Sequence, residues 1–116
     1  MMQLEAIDIA KRIVDAAADK QASDIVLLDT GSVCSFADYF VIMTGESGRQ
    51  IDAIRQAIDD ALKGKAIARH YEGNASSGWL LIDAGDVIVH VFAPYEREYF
   101  QLDNLWENAP IVLRVL

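Results

Sequence analysis

Two amphipathic patterns of apolar residues dominate the first half of the chain. In residues 3–20, apolar side chains recur at spacings of three and four, which is the period of a helix with one buried face. A second stripe of the same period occupies residues 47–63, and Gly64 stands where such a helix usually ends. At its start, Ser47 and Gln50 have the spacing of a capping box, which satisfies free backbone N–H groups. The pattern predicts two helices.

Short apolar runs bounded by turn residues predict strands at residues 24–29, 38–44, 66–71, 79–83 and 87–92, of which the third is the weakest. The last two are joined by Ala84, Gly85 and Asp86, which predicts a hairpin. After Pro94, a final helix is predicted to carry on one face four apolar or aromatic residues, Tyr95, Tyr99, Leu102 and Trp106.

The order of these elements predicts an α/β (α+β) fold with a mixed five-stranded β-sheet flanked by helices. Its 116 residues form one domain, because no linker or repeat divides the chain. The apolar tail at residues 110–116 has no assigned role, and an edge strand, a groove cover and a dimer support all remain open.

The charge balance restricts the class of partner. Acidic residues outnumber Lys and Arg by 18 to 10, which gives a formal net charge of −8. Binding to nucleic acid through its phosphates requires clustered cationic side chains, so this class of contact is excluded. An acidic surface suits a basic partner, although acidity also serves solubility, and charge alone does not separate the two.

Targeting signals and cysteine usage indicate the cytoplasm. Cys34 is the single cysteine, which excludes an internal disulfide and fits a reducing compartment. The first residues contain no cationic segment leading into an apolar run, so no secretory signal is expected. No apolar run reaches the roughly 20 residues that span a bilayer, so no membrane contact is expected.

Three acidic residues offer a possible catalytic site. Glu72, Asp83 and Asp86 could hold Mg²⁺ for nucleotidyl or phosphoryl transfer. Aspartate is also a favoured turn residue, since its side chain bonds local backbone N–H groups, and Asp83 and Asp86 flank the hairpin turn. A Mg²⁺-dependent transferase is therefore kept as a rival hypothesis.

Other catalytic patterns are incomplete. Gly73 and Gly78 have the glycine spacing of a phosphate-binding loop, but Trp79 and Leu80 stand where Lys and Ser or Thr are needed. His90 lies in an apolar strand with no recognisable nucleophile or orienting partner, so a role in the core or at an interface is favoured. No cofactor and no metal site are expected.

Two blocks of sequence together resemble the Iojap-type ribosomal silencing factors. The C-terminal block contains Glu72-Gly73, residues 79–83, the run from Gly85 to Phe92, Glu96-Arg97, Tyr99 and Leu105-Trp106. The N-terminal block contains residues 37–42, Thr44-Gly45, Ser47 and Arg49-Gln50. The run Gly-Asp-Val-Ile-Val-His-Val with the downstream Glu-Arg is specific, and the resemblance extends over nearly the whole chain.

The resemblance implies a fold related to nucleotidyltransferases but lacking their catalytic machinery. It also implies a translational repressor that binds large-subunit ribosomal protein fourteen on the large ribosomal subunit and sterically blocks association with the small subunit. A role in late large-subunit biogenesis and a homodimer in the free state are implied as well. A dimeric scaffold without a ribosomal role remains the third hypothesis.

A partner-binding surface follows from the resemblance together with the chemistry of its residues. Trp79 and Tyr99 would supply apolar anchors, and acidic residues would complement a basic partner. The expected surface consists of Trp79, Glu72, Asp83, Asp86, His90, Glu96, Arg97 and Tyr99.

Overall fold

A computed structural model describes residues 5–65, 67 and 69–116. The helices within these residues are α1 (Ala6–Asp19), α2 (Gly48–Leu62), α3 (Pro94–Phe100) and α4 (Leu102–Leu105). The strands are β1 (Ser23–Asp29), β2 (Tyr39–Thr44), β3 (His70–Asn74), β4 (Trp79–Asp83), β5 (Val87–Phe92) and β6 (Ile111–Val115). A single 3-10 turn, Ala75–Ser77, connects β3 to β4.

The strands form one mixed sheet in the order β3-β4-β5-β2-β1-β6. Only β2 and β5 pair in parallel, and the other neighbours are antiparallel. The mixed sheet flanked by helices is confirmed, and so is the hairpin of β4 and β5. The sheet has six strands rather than five, because the apolar tail adds β6 to the free edge of β1, where its backbone groups find partners.

The long helices α1 and α2 both pack on one face of the sheet. Their buried stripes include Ile13, Val14, Ile54 and Ile58. These side chains pack against every second residue of the strands, the ones whose side chains point to this face of the sheet. Residues 3 and 4, which the sequence assigns to the first helix, lie outside the described residues. The helical period predicted this layer correctly.

The predicted cap of α2 is half correct. Ser47 is the N-cap, and its hydroxyl accepts the N–H of Gln50 at 3.1 Å. The side-chain oxygen of Gln50 accepts the N–H of Glu46 at 2.6 Å, one residue before the position that a capping box uses. The amide of Gln50 also donates to the carbonyls of Lys20 and Gln21, so its side chain joins the start of α2 to the end of α1.

The helix predicted after Pro94 is wrong in its length. It divides into α3 and α4 at Gln101, whose φ of +48° is left-handed and ends the helical path. Tyr95 and Tyr99 are consequently exposed, whereas Leu102 and Trp106 pack against the sheet. The four residues therefore do not share one buried face.

The third strand begins later than the sequence predicts. It comprises His70–Asn74 instead of residues 66–71, and Ala66 and Ala68 lie outside the described residues. Over the ranges that the structure covers, no helix has the length and apolar content needed to cross a membrane.

Candidate docking surface

The sheet face opposite α1 and α2, called here the aromatic face, is the centre of the candidate site. Phe40, Ile42, Ile88 and Phe92 form its buried floor, and Trp79 and Leu81 pack against that floor at the side of β4. The segment of α3 and α4 lies over part of this face, where it makes its contacts with β2 and β5. On the β4 side, α3 reaches the aromatic face through Phe100, whose ring lies against that of Trp79.

Trp79 is fixed in place from three directions. Its indole N–H donates to Nδ1 of His90 at 3.1 Å. Its ring centroid lies 5.1 Å from that of Phe92 and 4.6 Å from that of Phe100. The side chain is only half-buried. A large aromatic ring that is ordered before binding and partly exposed has the properties of an interface anchor, because little conformational entropy is lost when a partner covers it.

His90 is the buried support of this tryptophan. The residue is 5% exposed, and burial lowers the pKa of its imidazole to about 4. Because Nδ1 accepts the indole proton, the neutral ring carries its own proton on Nε2. Nε2 is buried and has no hydrogen-bond partner among the described residues. His90 therefore belongs to the core under the surface.

Glu96 lies beside the turn that leads into Trp79. Gly78 has a φ of +77°, and a Cβ at this position would meet the Glu96 carboxylate at 2.4–2.8 Å. The positive φ favours glycine here, and the absence of a side chain leaves room for the end of the flexible Glu96 side chain. The Glu96 carboxylate of α3 therefore lies next to Gly78, the residue that precedes Trp79.

Three aromatic side chains extend the surface from Trp79 along α3. The ring of Tyr99 stands edge-on to Phe100 at 5.0 Å and stacks with Tyr95 at 5.9 Å. Tyr95 and Tyr99 are 70% and 67% exposed. Phe100 therefore links the exposed tyrosines to Trp79, and tyrosines offer apolar area with polar tips, a composition enriched at protein interfaces.

Glu72 and Asp83 lie on the same sheet face as Trp79. Trp79, Leu81 and Asp83 alternate along β4, and the register pairs Glu72 with Leu81. Tyr71, the neighbour of Glu72, packs into the opposite core. The carboxylate of Asp83 accepts the N–H of Gly85 at 3.0 Å, so it also holds the hairpin turn.

Asp86 stands apart from the other predicted site residues. It lies in the turn before β5, where its carbonyl accepts the N–H groups of Asp38 and Tyr39. The fold thus brings together Trp79, Glu96, Tyr99 and, below them, His90 and Arg97. Glu72, which pairs with Leu81, borders this group, whereas Asp83 and Asp86 are at the far end of the hairpin.

Arg97 is turned inward. Its side chain is 12% exposed, and its guanidinium bonds to Asp24, Thr44 and Asp103. The resemblance implied a partner contact at this position, whereas the burial favours a structural role. The same distinction applies to His90.

Sequence reasoning missed Phe100, although its ring is 4.6 Å from that of Trp79. The helical stripe drawn through Tyr95, Tyr99, Leu102 and Trp106 skips this position. The one available signal was its place directly after Tyr99 in a sequence block of aromatic residues.

The segment with phosphate-loop spacing has a different structure from such a loop. Gly73 lies within β3, and Asn74 and Ser77 cap the 3-10 turn reciprocally before the chain enters β4. A phosphate-binding loop instead leads into a helix whose N–H groups point at the anion. Within the described ranges, no three His, Cys, Asp or Glu side chains are grouped so that they could hold a metal ion.

Comparison with known proteins gives a consistent result. The family described as "Ribosomal silencing factor during starvation" matches residues 3–115. A ribosomal silencing factor RsfS of Bacillus subtilis is 41% identical over 104 residues, covering 89% of this chain and 88% of that protein. A maize chloroplast protein named Iojap is 33% identical over 94% of this chain and 48% of its own length.

Solved structures agree with these sequence matches. A crystal structure of a Chromobacterium violaceum protein superposes with a TM-score of 0.85 at 35% identity, covering 90% of this chain and 88% of the other. A Bacillus halodurans structure has a TM-score of 0.79 at 34% identity, with coverages of 91% and 97%.

Proposed function

Because the chain belongs to the ribosomal silencing factor family, we propose that it represses translation by binding the large ribosomal subunit through ribosomal protein fourteen and blocking association with the small subunit. The role is regulatory rather than catalytic, and it places the protein in the cytoplasm. The block is steric. A folded body of 41 × 32 × 24 Å seated on the face where the subunits meet would hold them apart.

The half-exposed, pre-ordered Trp79 carries this proposal. It is held by His90 and Phe100 and lies on a sheet face that also carries carboxylates and exposed aromatic side chains. The proposed docking surface consists of Trp79, Phe100, Tyr99, Tyr95, Glu72, Asp83 and Glu96.

The chemistry of the docking surface fits a basic protein. Its charged members are all acidic, in a chain of net charge −8. Opposite potentials accelerate encounter and disfavour wrong partners, while buried aromatic anchors carry most of the binding free energy. Asp86 lies farther along the hairpin and is proposed as a contact at the margin.

Two further roles belong to the same proposal. The ribosomal protein is present on large subunits before they join, so binding late in large-subunit assembly uses the same surface. The free protein is proposed to form a homodimer. Exposed apolar side chains away from the sheet core, such as Phe36 and Leu105, leave area for such contacts.

The experiment is co-sedimentation of the purified protein with large subunits and with joined ribosomes. We expect it to pellet with large subunits only and to lower the yield of joined ribosomes. Trp79→Ala should weaken binding by roughly 2 kcal/mol, about thirtyfold, as is typical of an interface anchor. Glu96→Lys should also weaken binding.

Matched controls use exposed residues away from the docking surface. Val115→Ala removes an exposed apolar side chain of β6, at the opposite edge of the sheet from β3, and Asp52→Lys reverses a charge on the outer side of α2. Both should bind as the wild type does. If Trp79→Ala and Glu96→Lys each bound large subunits with wild-type affinity, the proposed docking surface would be wrong. If the protein pelleted with joined ribosomes, the proposed block of subunit association would be refuted. A dimer that binds no subunits would support the scaffold hypothesis instead.

A further inference from the structure

All five N–H groups of the Arg97 guanidinium are engaged within the protein. Nε and Nη2 donate to the two carboxylate oxygens of Asp103 at 3.0 Å each. Nη1 donates to the Asp24 carbonyl at 3.1 Å and to the Thr44 hydroxyl at 3.0 Å. Nη2 also reaches the Asp24 carboxylate at 3.4 Å. Arginine has only five such donors, so none is left for a partner.

These bonds connect distant parts of the chain. Asp24 lies in β1 and Thr44 ends β2, whereas Arg97 and Asp103 belong to α3 and α4. We call the four residues the Arg97 clasp. It fastens both short helices to the end of the sheet.

The short helices α3 and α4 depend on contacts with the sheet for their position. The two helices contain 7 and 4 residues, and neither has a buried residue. Helices this short are not stable alone, because nucleation costs more free energy than a few hydrogen bonds return. Between them, Gln101 has a left-handed backbone conformation that interrupts the helix. Apart from the clasp, side chains such as Leu102 and Trp106 provide the contact with the sheet.

The backbone at Asp24 is shaped for this contact. Asp24 has a φ of +46°, in the left-handed region that non-glycine residues rarely adopt, and the register of β1 is irregular between Ser23 and Val26. This bend presents both the carbonyl and the carboxylate of Asp24 to Arg97. A strained residue that supplies two acceptors to one guanidinium indicates a specific function for the contact.

We propose that Arg97 is a positioning residue of the docking surface: the clasp fixes the rotation of α3, and this rotation sets Phe100 against Trp79 and presents Tyr99. The inference rests on the proposed function, which it deepens. Arg97 lies two residues before Tyr99 and three before Phe100, so a change at the clasp reaches both rings within one helical turn. The partner meets the rings and not the guanidinium.

The test compares Arg97→Lys with the wild type in two measurements. The first is the nuclear Overhauser contact between the Trp79 indole and the Phe100 ring in the free protein. The second is the affinity for purified large subunits. Lysine keeps the charge but lacks the planar fork of five donors, so the clasp is lost. We expect the ring contact to disappear and the affinity to fall on the order of tenfold.

Two further variants control for folding and for charge. Asp103→Ala removes the two carboxylate acceptors of Nε and Nη2, whereas Asp24 and Thr44 still hold Nη1, so it should weaken both readouts less than Arg97→Lys does, in a molecule whose amide spectrum stays folded. Arg69→Lys is the matched control, because Arg69 is also a partly buried arginine that bonds an aspartate, Asp59, at 2.9 Å, and its hydrogen-bond partners lie outside α3 and α4. It should leave both readouts unchanged.

A double-mutant cycle separates positioning from direct contact. In a variant that already carries both Phe100→Ala and Tyr99→Ala, adding Arg97→Lys should not lower the affinity for large subunits any further. The rings through which Arg97 is proposed to act are absent from that variant. A full additional loss there, or a lower affinity with the Trp79–Phe100 contact intact, would make Arg97 a direct contact and overturn the inference. Unchanged affinity after loss of the ring contact would overturn it as well.

Failure of the proposed function gives a different result. If the wild-type protein does not bind large subunits, that function falls and the docking role of Arg97 falls with it. The ring contact is measured without any subunit, so it still shows whether the clasp sets the position of α3.

Discussion

The indole N–H of Trp79 donates to Nδ1 of His90 across 3.1 Å, which ties the half-exposed ring of β4 to a buried imidazole of β5. The two residues lie on neighbouring strands and on the same sheet face. The position of the tryptophan ring therefore depends on a histidine that must stay neutral and buried.

Acid should weaken the folded protein through His90. Burial lowers the pKa of this group to about 4, against 6.5 for an unperturbed histidine. Between these two values the unfolded chain binds a proton that the folded protein does not, so stability is complete above pH 6.5 and falls as the pH drops towards 4. The loss amounts to about 3 kcal/mol at most.

Urea denaturation at several pH values measures this effect. The His90→Phe variant should lose less stability than the wild type between pH 7 and pH 4.5, and His70→Phe, at an exposed position, should behave as the wild type does. An identical pH slope in His90→Phe and the wild type would contradict the assignment.

Alanine at Gly73 should be much more harmful than alanine at Gly85. Both glycines have positive φ values, +75° and +83°. A Cβ at Gly73 would lie 2.0 Å from the carbonyl oxygen of Trp79, which is backbone and cannot turn away, whereas a Cβ at Gly85 meets nothing within 4 Å. Gly85→Ala should cost roughly 1 kcal/mol, from the backbone conformation alone.

Gly73→Ala should cost about 3 kcal/mol or more, because the β3–β4 pairing must shift as well. The comparison needs only the difference in the free energy of unfolding. Equal losses for the two variants would mean that β3 adjusts freely beside Trp79.

Replacing Gln50 by alanine should loosen the junction of the two long helices. Its amide donates to the carbonyls of Lys20 and Gln21 at 3.0 and 2.9 Å. These bonds and the one from the Glu46 N–H would be lost together, so the free energy of unfolding should fall by about 1–2 kcal/mol.

Gln56→Ala is the control for this junction. Gln56 bonds only Asp60 on the exposed side of the same helix, at 3.0 Å, and its loss should change stability by less than about 0.5 kcal/mol. A loss in Gln56→Ala equal to that in Gln50→Ala would show that helix propensity and not the junction is responsible.

Binding to large subunits should weaken as salt is added. The charged members of the docking surface are Glu72, Asp83 and Glu96, and the screening length is about 8 Å at physiological ionic strength. The measurement is sedimentation at increasing potassium chloride concentration. The affinity for large subunits should depend less on salt in the double variant Glu72→Gln/Glu96→Gln than in the wild type. A salt dependence that stays the same would place the acidic contact elsewhere.

Local sequence patterns predicted the helices α1 and α2 and the hairpin of β4 and β5, because each depends on nearby residues. The helical stripe required only its period, and the turn required Gly85 with its flanking aspartates. The helix after Pro94 was predicted too long, since nothing in the local sequence marks Gln101 as left-handed. Its conformation depends on the packing of Leu102 and Trp106 against the sheet.

The residues that make up the proposed docking surface were predicted in part, and their role in binding stays a prediction. Trp79, Glu96 and Tyr99 were singled out from the resemblance, and the fold brings them close together. Phe100 was missed, and the residues expected as contacts included His90 and Arg97, which the fold buries. Exposure is a property of the whole chain, so no local pattern could separate these groups.

The sequence by itself determined the two long helices and the strands β1, β2, β4 and β5, because hydrophobic period and turn chemistry act over a few residues. It also determined the acidic balance of the surface. Only the tertiary structure decided that the tail becomes β6, that His90 supports Trp79, and that Arg97 bonds to Asp24, 73 positions earlier in the chain. Such contacts arise when distant strands pair and pack, and their free energy depends on geometry that neighbouring residues do not specify.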